Sequence, residues 1–399
     1  WGYLPDRGKK FVNIALETWK GYAEMVSMTP DVITDNLTNI VSWYGTFTYS
    51  YADRYIANFN IRTDGSNKFG QDKSVRFLPV WSASAKWNLH KEVFMKPVEW
   101  MDEFAIRMSY GIQGNVHPDQ TPNLIVQMGS MDNISKEYES TLYKLPNNDL
   151  KWEKTKSYNL GIDFSFFQSW LSGTLEIYKK VGEDQVIQKT LAPSTGANYV
   201  AINDGDVNNS GWELSVNVNP IRGKDWNWGI SFNTAKNYNK VKNAGEELSV
   251  TWSDYVNGTL VRNGRSINSF YAYRFKGLND EGLPTFYGES EKDEDGVAII
   301  TTQEEAFDAA FVYAGRREPT LSGGFSTNVR FKRLTMNANF SFALGNKIRL
   351  NNLYYESGQA LPFPQQNMSS EFVDRWREPG DDTVIPALSD DAMTFGPYD

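Results

Sequence analysis

Between Leu150 and Lys180 the chain reads LKWEKTKSYNLGIDFSFFQSWLSGTLEIYKK, and its side chains change character with a period of two. Tyr158, Leu160, Ile162, Phe164 and Phe166 fall on one side, and Ser157, Asn159, Gly161, Asp163 and Ser165 on the other. After a break at Phe167 to Ser169 the alternation resumes, with Leu171, Gly173, Leu175 and Ile177 opposing Ser172, Thr174, Glu176 and Tyr178. Successive side chains of an extended strand point to opposite faces. The stretch therefore predicts a long hairpin with a tight turn, apolar on one face and polar on the other.

The same plan recurs on either side. Apolar files run through Trp43 to Tyr51, Tyr55 to Ile61, Phe77 to Trp87, Phe104 to Ile112, Trp212 to Val218, Trp226 to Phe232, Leu321 to Arg330 and Leu334 to Leu344. With the central hairpin this makes ten expected strands, and Ser269 to Lys276 is a candidate eleventh. Pro79 has no N–H for a ladder, which predicts a bulge or strand end there. Compact connections are expected at 52–53, 89–102, 167–169, 220–225 and 331–333. Long loops are expected at 64–75, 113–156, 181–210 and 238–320, with a loop region, 345–399, after the last strand. Residues 1–42 show no sustained period and read as a loop region with room for one short helix. In an up-and-down antiparallel array this alternation of short and long puts all long loops at one end, as in outer-membrane barrels.

Charge placement separates two readings. Across the strand cores the apolar files carry no charged residue, and Lys179 appears only at a strand end. The opposite files hold Arg54, Arg62, Arg76, Lys86, Glu103, Arg107, Asp163, Glu176, Glu213 and Arg330. A Lys or Arg facing lipid at mid-depth costs roughly 2–4 kcal/mol, so a clean apolar file is what a bilayer demands. Trp43, Trp81, Trp87, Trp170, Trp212, Trp226 and Trp228 near strand ends would form interfacial girdles. A soluble β-sandwich also alternates, but its outer face is usually rich in Lys, Glu and Thr, whereas this polar face is rich in Asn, Ser and Gly.

Composition narrows the field. Aromatic residues make up 14% of the chain, and the net charge of −9 lacks the basic footprint of a nucleic-acid binder. With no cysteine there is no disulfide, thiolate zinc cluster or thiol nucleophile, and two histidines leave little for metals. No run of 18 apolar residues offers a transmembrane helix, which says nothing against a barrel. The chain starts at Trp1-Gly2-Tyr3 without a signal peptide or initiator Met and is read as a segment of a longer or processed protein.

Several stretches resemble one family in its own order: LKWEKTKSYNLGIDFSFF…LSGTLEIYKK, RYIANFNIRTDGSNKFG at 54–70, FLPVWSASAKW at 77–87, IRMSYGIQGN at 106–115 and GDVNNSGWELSVNVNP at 205–220. SFYAYRFKGL at 269–278, EPTLSGGFSTNVRFKRLTMNANFSFALGNKI at 318–348 and DRWREPGDDTVIPAL at 374–388 follow. Together they resemble the barrel of SusC/RagA-like TonB-dependent outer-membrane transporters of Bacteroidetes. The resemblance implies a multi-pass 22-stranded barrel in the outer membrane of which this stretch is about half. It also implies a SusD-like surface lipoprotein as lid, drive by the TonB–ExbB–ExbD complex, and import of oligosaccharides or oligopeptides. The TonB box, plug, preceding regulatory-like domain and closing strands of that family are not found in this stretch. Two other readings stay open: a secreted soluble β-rich carbohydrate-binding or glycoside hydrolase domain, and a passive porin-like channel.

Catalysis finds little footing. His90 and His117 lie in a turn and a loop, without a nucleophile elbow, and read as surface residues. Carboxylate pairs such as Asp163 and Glu213 are better read as lumen lining than as glycosidase acids. No enzyme activity and no cofactor are expected. The acidic loop 291–302 invites comparison with a calcium loop, but Glu291 stands at the first position and Thr302 at the twelfth, so a solvated loop is the preferred reading. Substrate contact would fall to inward Arg62, Arg107, Asp163, Glu176 and Glu213, and to Asp64, Asn115 and Trp376 at or beyond the strand tops. The competing reading for each is barrel packing and lumen hydrogen bonding.

Overall fold

The computed structural model describes residues 39–66, 77–115, 123–132, 134–135, 137–197, 199–245, 250–287, 307, 309–350, 353 and 369–388. Its strands, in chain order, are β1 (Ile40–Tyr51), β2 (Tyr55–Ser66), β3 (Phe77–Asn88), β4 (Met101–Asn115), β5 (Ile125–Met131), β6 (Tyr138–Lys144), β7 (Glu153–Phe166) and β8 (Leu171–Thr190). They continue with β9 (Tyr199–Arg222), β10 (Trp226–Asn243), β11 (Ser269–Tyr273), β12 (Phe275–Leu278), β13 (Pro284–Phe286), β14 (Phe311–Arg316), β15 (Leu321–Phe331) and β16 (Leu334–Leu344). The ten expected strands form one 10-stranded antiparallel meander, β1-β2-β3-β4-β7-β8-β9-β10-β15-β16, with β1 and β16 as its edges among the described residues. The fold is all-β, a partial barrel.

Register is where the alternation acts. A slip of one residue would turn a strand's apolar set to the wrong face. Phe47 lies opposite Phe59, which lies opposite Ala83, and Ala83 opposite Tyr110. Tyr110 then meets Tyr158, Leu160 meets Ile177, and Ile177 meets Trp212. Phe232 meets Val216 on one side and Phe325 on the other, and Phe325 meets Phe340. Apolar files therefore abut across all ten strands. This face is open: Met108 is 57% exposed and Phe340 63%. Lys156, Lys179 and Lys236 continue the apolar files on the side away from the short turns, opposite Ile112, Tyr158 and Trp212, and Lys179 stands inside β8 instead of at the strand end the sequence suggests.

Glycine files are covered by rings from the neighbouring strand. Gly173 lies opposite Phe164, and a Cβ on it would stand 2.3 Å from the Ser215 carbonyl oxygen and 2.7 Å from the Phe164 ring. At the short-turn end Trp100 packs on Phe166 and Phe167 at 5.3 and 5.7 Å, and Trp226 on Phe331 at 4.6 Å. Trp81, Tyr110 and Tyr158 form a second aromatic row towards the other end, at 5.3 and 4.8 Å.

Besides short extensions into the expected loops 64–75, 113–156 and 238–320 (β2 to Ser66, β4 to Asn115, β7 from Glu153 and β10 to Asn243), the strands depart from the sequence expectations in four ways. Residues 181–190 and 199–210, expected in a loop, continue β8 and β9, which stay paired as far as Thr190 and Tyr199. The left-handed Asp184, with φ of 59°, sits in a register shift between Gly182 and Gln185 that breaks the two-residue file. The loop left at 191–198 is consequently shorter than the 89–100 connection, so the strict short-and-long alternation of lengths does not hold there. Ser269 to Lys276 is no eleventh strand of the sheet: β11 pairs with β14, and β12 with β13, in two small separate sheets. Of the bulge or strand end expected at Pro79 there is no bulge, and β3 starts two residues before it. Pro79 pairs in register with Thr63, and the β3–β4 ladder begins beyond it at Trp81 and Ile112.

The connection between β10 and β15 has a core of its own. Helix α1 (Trp252–Asn257) starts at a capping box formed by Thr251 and Asp254. Tyr255, Leu260, Tyr271 and Phe311 pack together beside it, with Tyr255 and Phe311 stacked at 4.5 Å. The connection from β4 to β7 carries the β5–β6 hairpin. Residues 1–38, and the acidic loop 291–302, lie outside the described residues.

Candidate functional site

On the polar face, β3, β4, β7 and β8 bring five charged side chains together. Arg107 of β4 makes a two-pronged pair with Asp163, Nε to Oδ2 at 2.8 Å and Nη2 to Oδ1 at 2.9 Å. The same Nη2 donates to Glu176 Oε1 at 2.7 Å. Lys86 adds looser pairs to Glu103 and Asp163, both at 3.5 Å, and Asn159 Nδ2 donates to the other Glu176 oxygen at 3.4 Å. Glu213 stands directly opposite Glu176 on β9. A hollow of about 330 Å³ beside the two carboxylates is lined by Thr174, Ser215, Asn233 and Thr234.

Gly161 makes this arrangement possible. It is the cross-strand partner of Arg107 on one side and of Glu176 on the other. A Cβ there would stand 3.2 Å from the guanidinium carbon, tighter than ordinary contact, so the bare backbone gives Arg107 room to lie across β7 and reach β8. Arg107, Asp163, Glu176 and Glu213 of the expected set thus share one neighbourhood. What they offer is a fixed, charged, hydrogen-bonding patch; no nucleophile paired with a base is present in it.

The other expected residues lie elsewhere. Arg62 Nε donates to both oxygens of Asp64 at 2.8 Å, and its Nη2 donates to Ser42 Oγ at 3.2 Å. Asn115 Nδ2 donates to Glu153 Oε2 at 2.8 Å and so holds a carboxylate that carries no signal in the sequence. Trp376 lies over Gly282: a Cβ on that glycine would stand 2.3 Å from its ring, and its backbone N–H donates to Ile385 at 2.9 Å. Nearby, Phe372 is buried against Leu283, Leu353 and Ile385. Trp376 belongs to this packed unit and stays apart from the charged patch.

Glu92 and Asp254, both outside the sheet, have depressed pKa values. Hydrogen bonds from the Tyr55 hydroxyl (2.5 Å) and Trp87 Nε1 (3.1 Å), with Arg54 Nη1 at 3.2 Å, hold the Glu92 carboxyl below its usual range against the effect of burial. Glu92 ties the ends of β2 and β3 to the connection leading into β4. For Asp254, burial pushes upward, but hydrogen bonds from Thr251 and Thr259 outweigh it and leave the carboxyl low. Among the described residues no group of three or more His, Cys, Asp or Glu is arranged to hold a metal ion.

Residues 13–298 match the family model described as TonB dependent receptor-like, beta-barrel. A TonB-dependent receptor of Formosa agariphila is 29% identical over 367 residues, covering 88% of this chain and 36% of the relative. The TonB-dependent receptor SusC of Bacteroides thetaiotaomicron is 26% identical over 336 residues, 79% of this chain and 32% of the relative. The chain therefore spans about a third of the length of these two curated relatives. The solved RagAB peptide transporter superimposes with a TM-score of 0.72 at 23% identity, covering 90% of this chain and 39% of that one, a likeness of fold. These relatives are receptors and transporters, not enzymes.

Proposed function

The chain belongs to the TonB-dependent receptor-like β-barrel family, and from that premise we propose that it forms part of the wall of an outer-membrane importer of the SusC/RagA type. The single observation that carries this is the register of the sheet. Ten strands hold one apolar face free of charge through its middle and a polar face carrying the Arg107 network. Lipid would cover the first, and water or substrate would fill the space before the second. In this reading the wall is completed beyond β1 and β16 by further strands of the importer, because an open ladder edge is not tolerated in hydrocarbon.

The cargo in this proposal is an oligosaccharide or an oligopeptide, gathered under a SusD-like lipoprotein and drawn inward when the TonB complex acts. The likeness to SusC and to a solved peptide transporter supports it. The long connections, including the packed unit around Tyr255, would face outward, and the compact turns inward to the periplasm. Arg62, Asp64, Arg107, Asn115, Asp163, Glu176, Glu213 and Trp376 remain the proposed surface for cargo, the first seven on or beside the polar face.

The test is energy-dependent uptake in the native host. Labelled peptide and glycan mixtures should enter wild-type cells, fail to enter a strain lacking this gene, and stop entering when the proton-motive force is collapsed. Uptake unaffected by the collapse would favour the passive channel. Recovery of the protein outside the membrane fraction would favour the soluble β domain.

A further inference from the structure

Residues 250–267 fold over the polar face of the sheet and close a cavity of about 420 Å³ against the extended ends of β8, β9 and β10. Its wall is largely aliphatic: Val186, Ile187, Val207, Val241, Leu260 and Ile267. Among the described residues that line it there is no aromatic ring on which a sugar could stack. Pockets of this size with apolar walls take their specificity from a few placed polar groups. Here the uncharged and acidic polar groups are Gln185, Gln188, Asn243, Asp254 and Thr259 with Glu153, and of these Glu153 alone is buried.

Glu153 enters the wall from β7 and is 9% exposed. Its Oε2 accepts from Asn115 Nδ2 at 2.8 Å and its Oε1 from the Val186 backbone N–H at 3.0 Å. Both donors are neutral, and among the described residues no lysine or arginine makes an ion pair with it. Lys151 and Lys154, its neighbours in sequence, are paired to Asp184 instead, at 2.8 and 3.4 Å. Arg262, the one cation among the described residues of the wall, is turned to Tyr255: Nη2 donates to the hydroxyl at 2.5 Å, and the guanidinium lies 5.6 Å from the ring centroid. A carboxylate offers about four lone-pair positions, so two neutral donors leave it able to accept more. A buried carboxylate without a counter-charge is unfavourable, and a cationic ligand would relieve it.

We propose that this cavity takes the amino-terminal end of a short peptide, with its α-ammonium on Glu153 and an aliphatic side chain against Val186, Ile187, Val207 and Val241. The inference rests on the importer reading and refines its cargo from glycan or peptide to peptide. At the buried end of the site a carboxylate stands among Val186, Ile187, Val207 and Val241, and a branched side chain beside an ammonium matches both halves of that end better than a polyhydroxylated ring does.

The test uses the full-length protein purified from outer membranes in mild detergent, titrated calorimetrically with Leu-Val-Ala, its N-acetyl form, and maltotriose. The free tripeptide should bind, and acetylation should weaken it about tenfold or more by removing a charge-assisted hydrogen bond. Glu153→Gln should erase the difference between free and acetylated peptide. Val261→Trp, at a lining residue 37% exposed, should weaken both by filling the cavity without opening a core. Equal binding of the two peptides by the native protein, binding of maltotriose alone, or no peptide binding would each overturn the inference. All three leave the importer reading intact, because that reading falls only if the protein is missing from the outer-membrane fraction or uptake ignores the proton-motive force.

Discussion

Arg107 and Glu176 sit on strands that do not touch, β4 and β8, yet Arg107 Nη2 and Glu176 Oε1 lie 2.7 Å apart because Gly161 of the intervening β7 has no side chain. Arg107→Ala would leave Asp163 and Glu176 facing one another with only Lys86 nearby. All three side chains are partly solvated, so the expected loss is modest, about 1–2 kcal/mol. Gly161→Val should cost a similar amount by lifting the guanidinium off β7. Thermal unfolding of the detergent-solubilised full-length protein measures both. Additive losses in the double variant would contradict the linkage, since residues in one network should couple.

The apolar face makes an asymmetric prediction along β10. Phe232 lies in the apolar file, and its neighbour Ser231 points to the other face, where its Oγ bonds Asn217 at 2.7 Å. Phe232→Lys should cost roughly 2–4 kcal/mol if lipid covers that face, and impair assembly into the membrane. Ser231→Lys should assemble normally. The yield of heat-modifiable barrel in outer membranes reports the difference.

How much was legible follows the period of two. Tyr158 to Phe166 states its own faces, and with it the register of the sheet, because one apolar file must meet the next. The extensions of β8 and β9 were hidden for a physical reason. Beyond Lys180 the register shifts around Asp184 and Gln185 break the file, so Val181 to Thr190 shows no period although the ladder continues. Ser269 to Tyr273 alternates because it covers Tyr255 and Phe311 in a small core, which a sequence pattern cannot tell from a bilayer. Within the candidate site, the charges of the polar files were readable, but their grouping depended on Gly161, which reads as an ordinary small residue. Glu153 was silent, being one acid among many until Asn115 and Val186 are seen to enclose it.

The turn between β7 and β8 holds three successive non-glycine residues in the left-handed region: Phe167, Gln168 and Ser169, with φ of 56°, 57° and 62°. Asp102 accepts from the Ser169 N–H at 2.8 Å, and Arg222 donates to the Phe167 and Gln168 carbonyls. A left-handed L-residue costs roughly 1–2 kcal/mol. Gln168→Gly, at an exposed side chain, should therefore raise stability by about 1 kcal/mol after its own entropic loss. Arg222→Ala should lower it. Melting temperatures of the two variants should move in opposite directions.

Glu92, 7% exposed, joins Tyr55, Trp87 and Arg54 in one hydrogen-bonded group, and its folded pKa is depressed. A depressed carboxylate contributes stability that is fully present above its unfolded pKa and lost as pH falls through the folded value. Acidification below the ordinary glutamate range should thus lower the melting temperature of the native protein. Glu92→Gln should start lower near neutrality and fall less on acidification. Parallel curves for the two proteins would assign the acid response to other carboxylates.

The measurement that bears most directly on the central claim is a cysteine scan of β10 in the complete protein, in intact cells, from Gly229 to Asn233. Residues 1–399 contain no cysteine, so each introduced thiol in this region stands alone. Thiols at Ile230 and Phe232 should resist a water-soluble maleimide and carry a label quenched by a lipid-borne quencher. Those at Gly229, Ser231 and Asn233 should react from the aqueous side and escape that quenching. Equal aqueous reactivity in both files, with no quenching in either, would contradict a membrane-spanning wall.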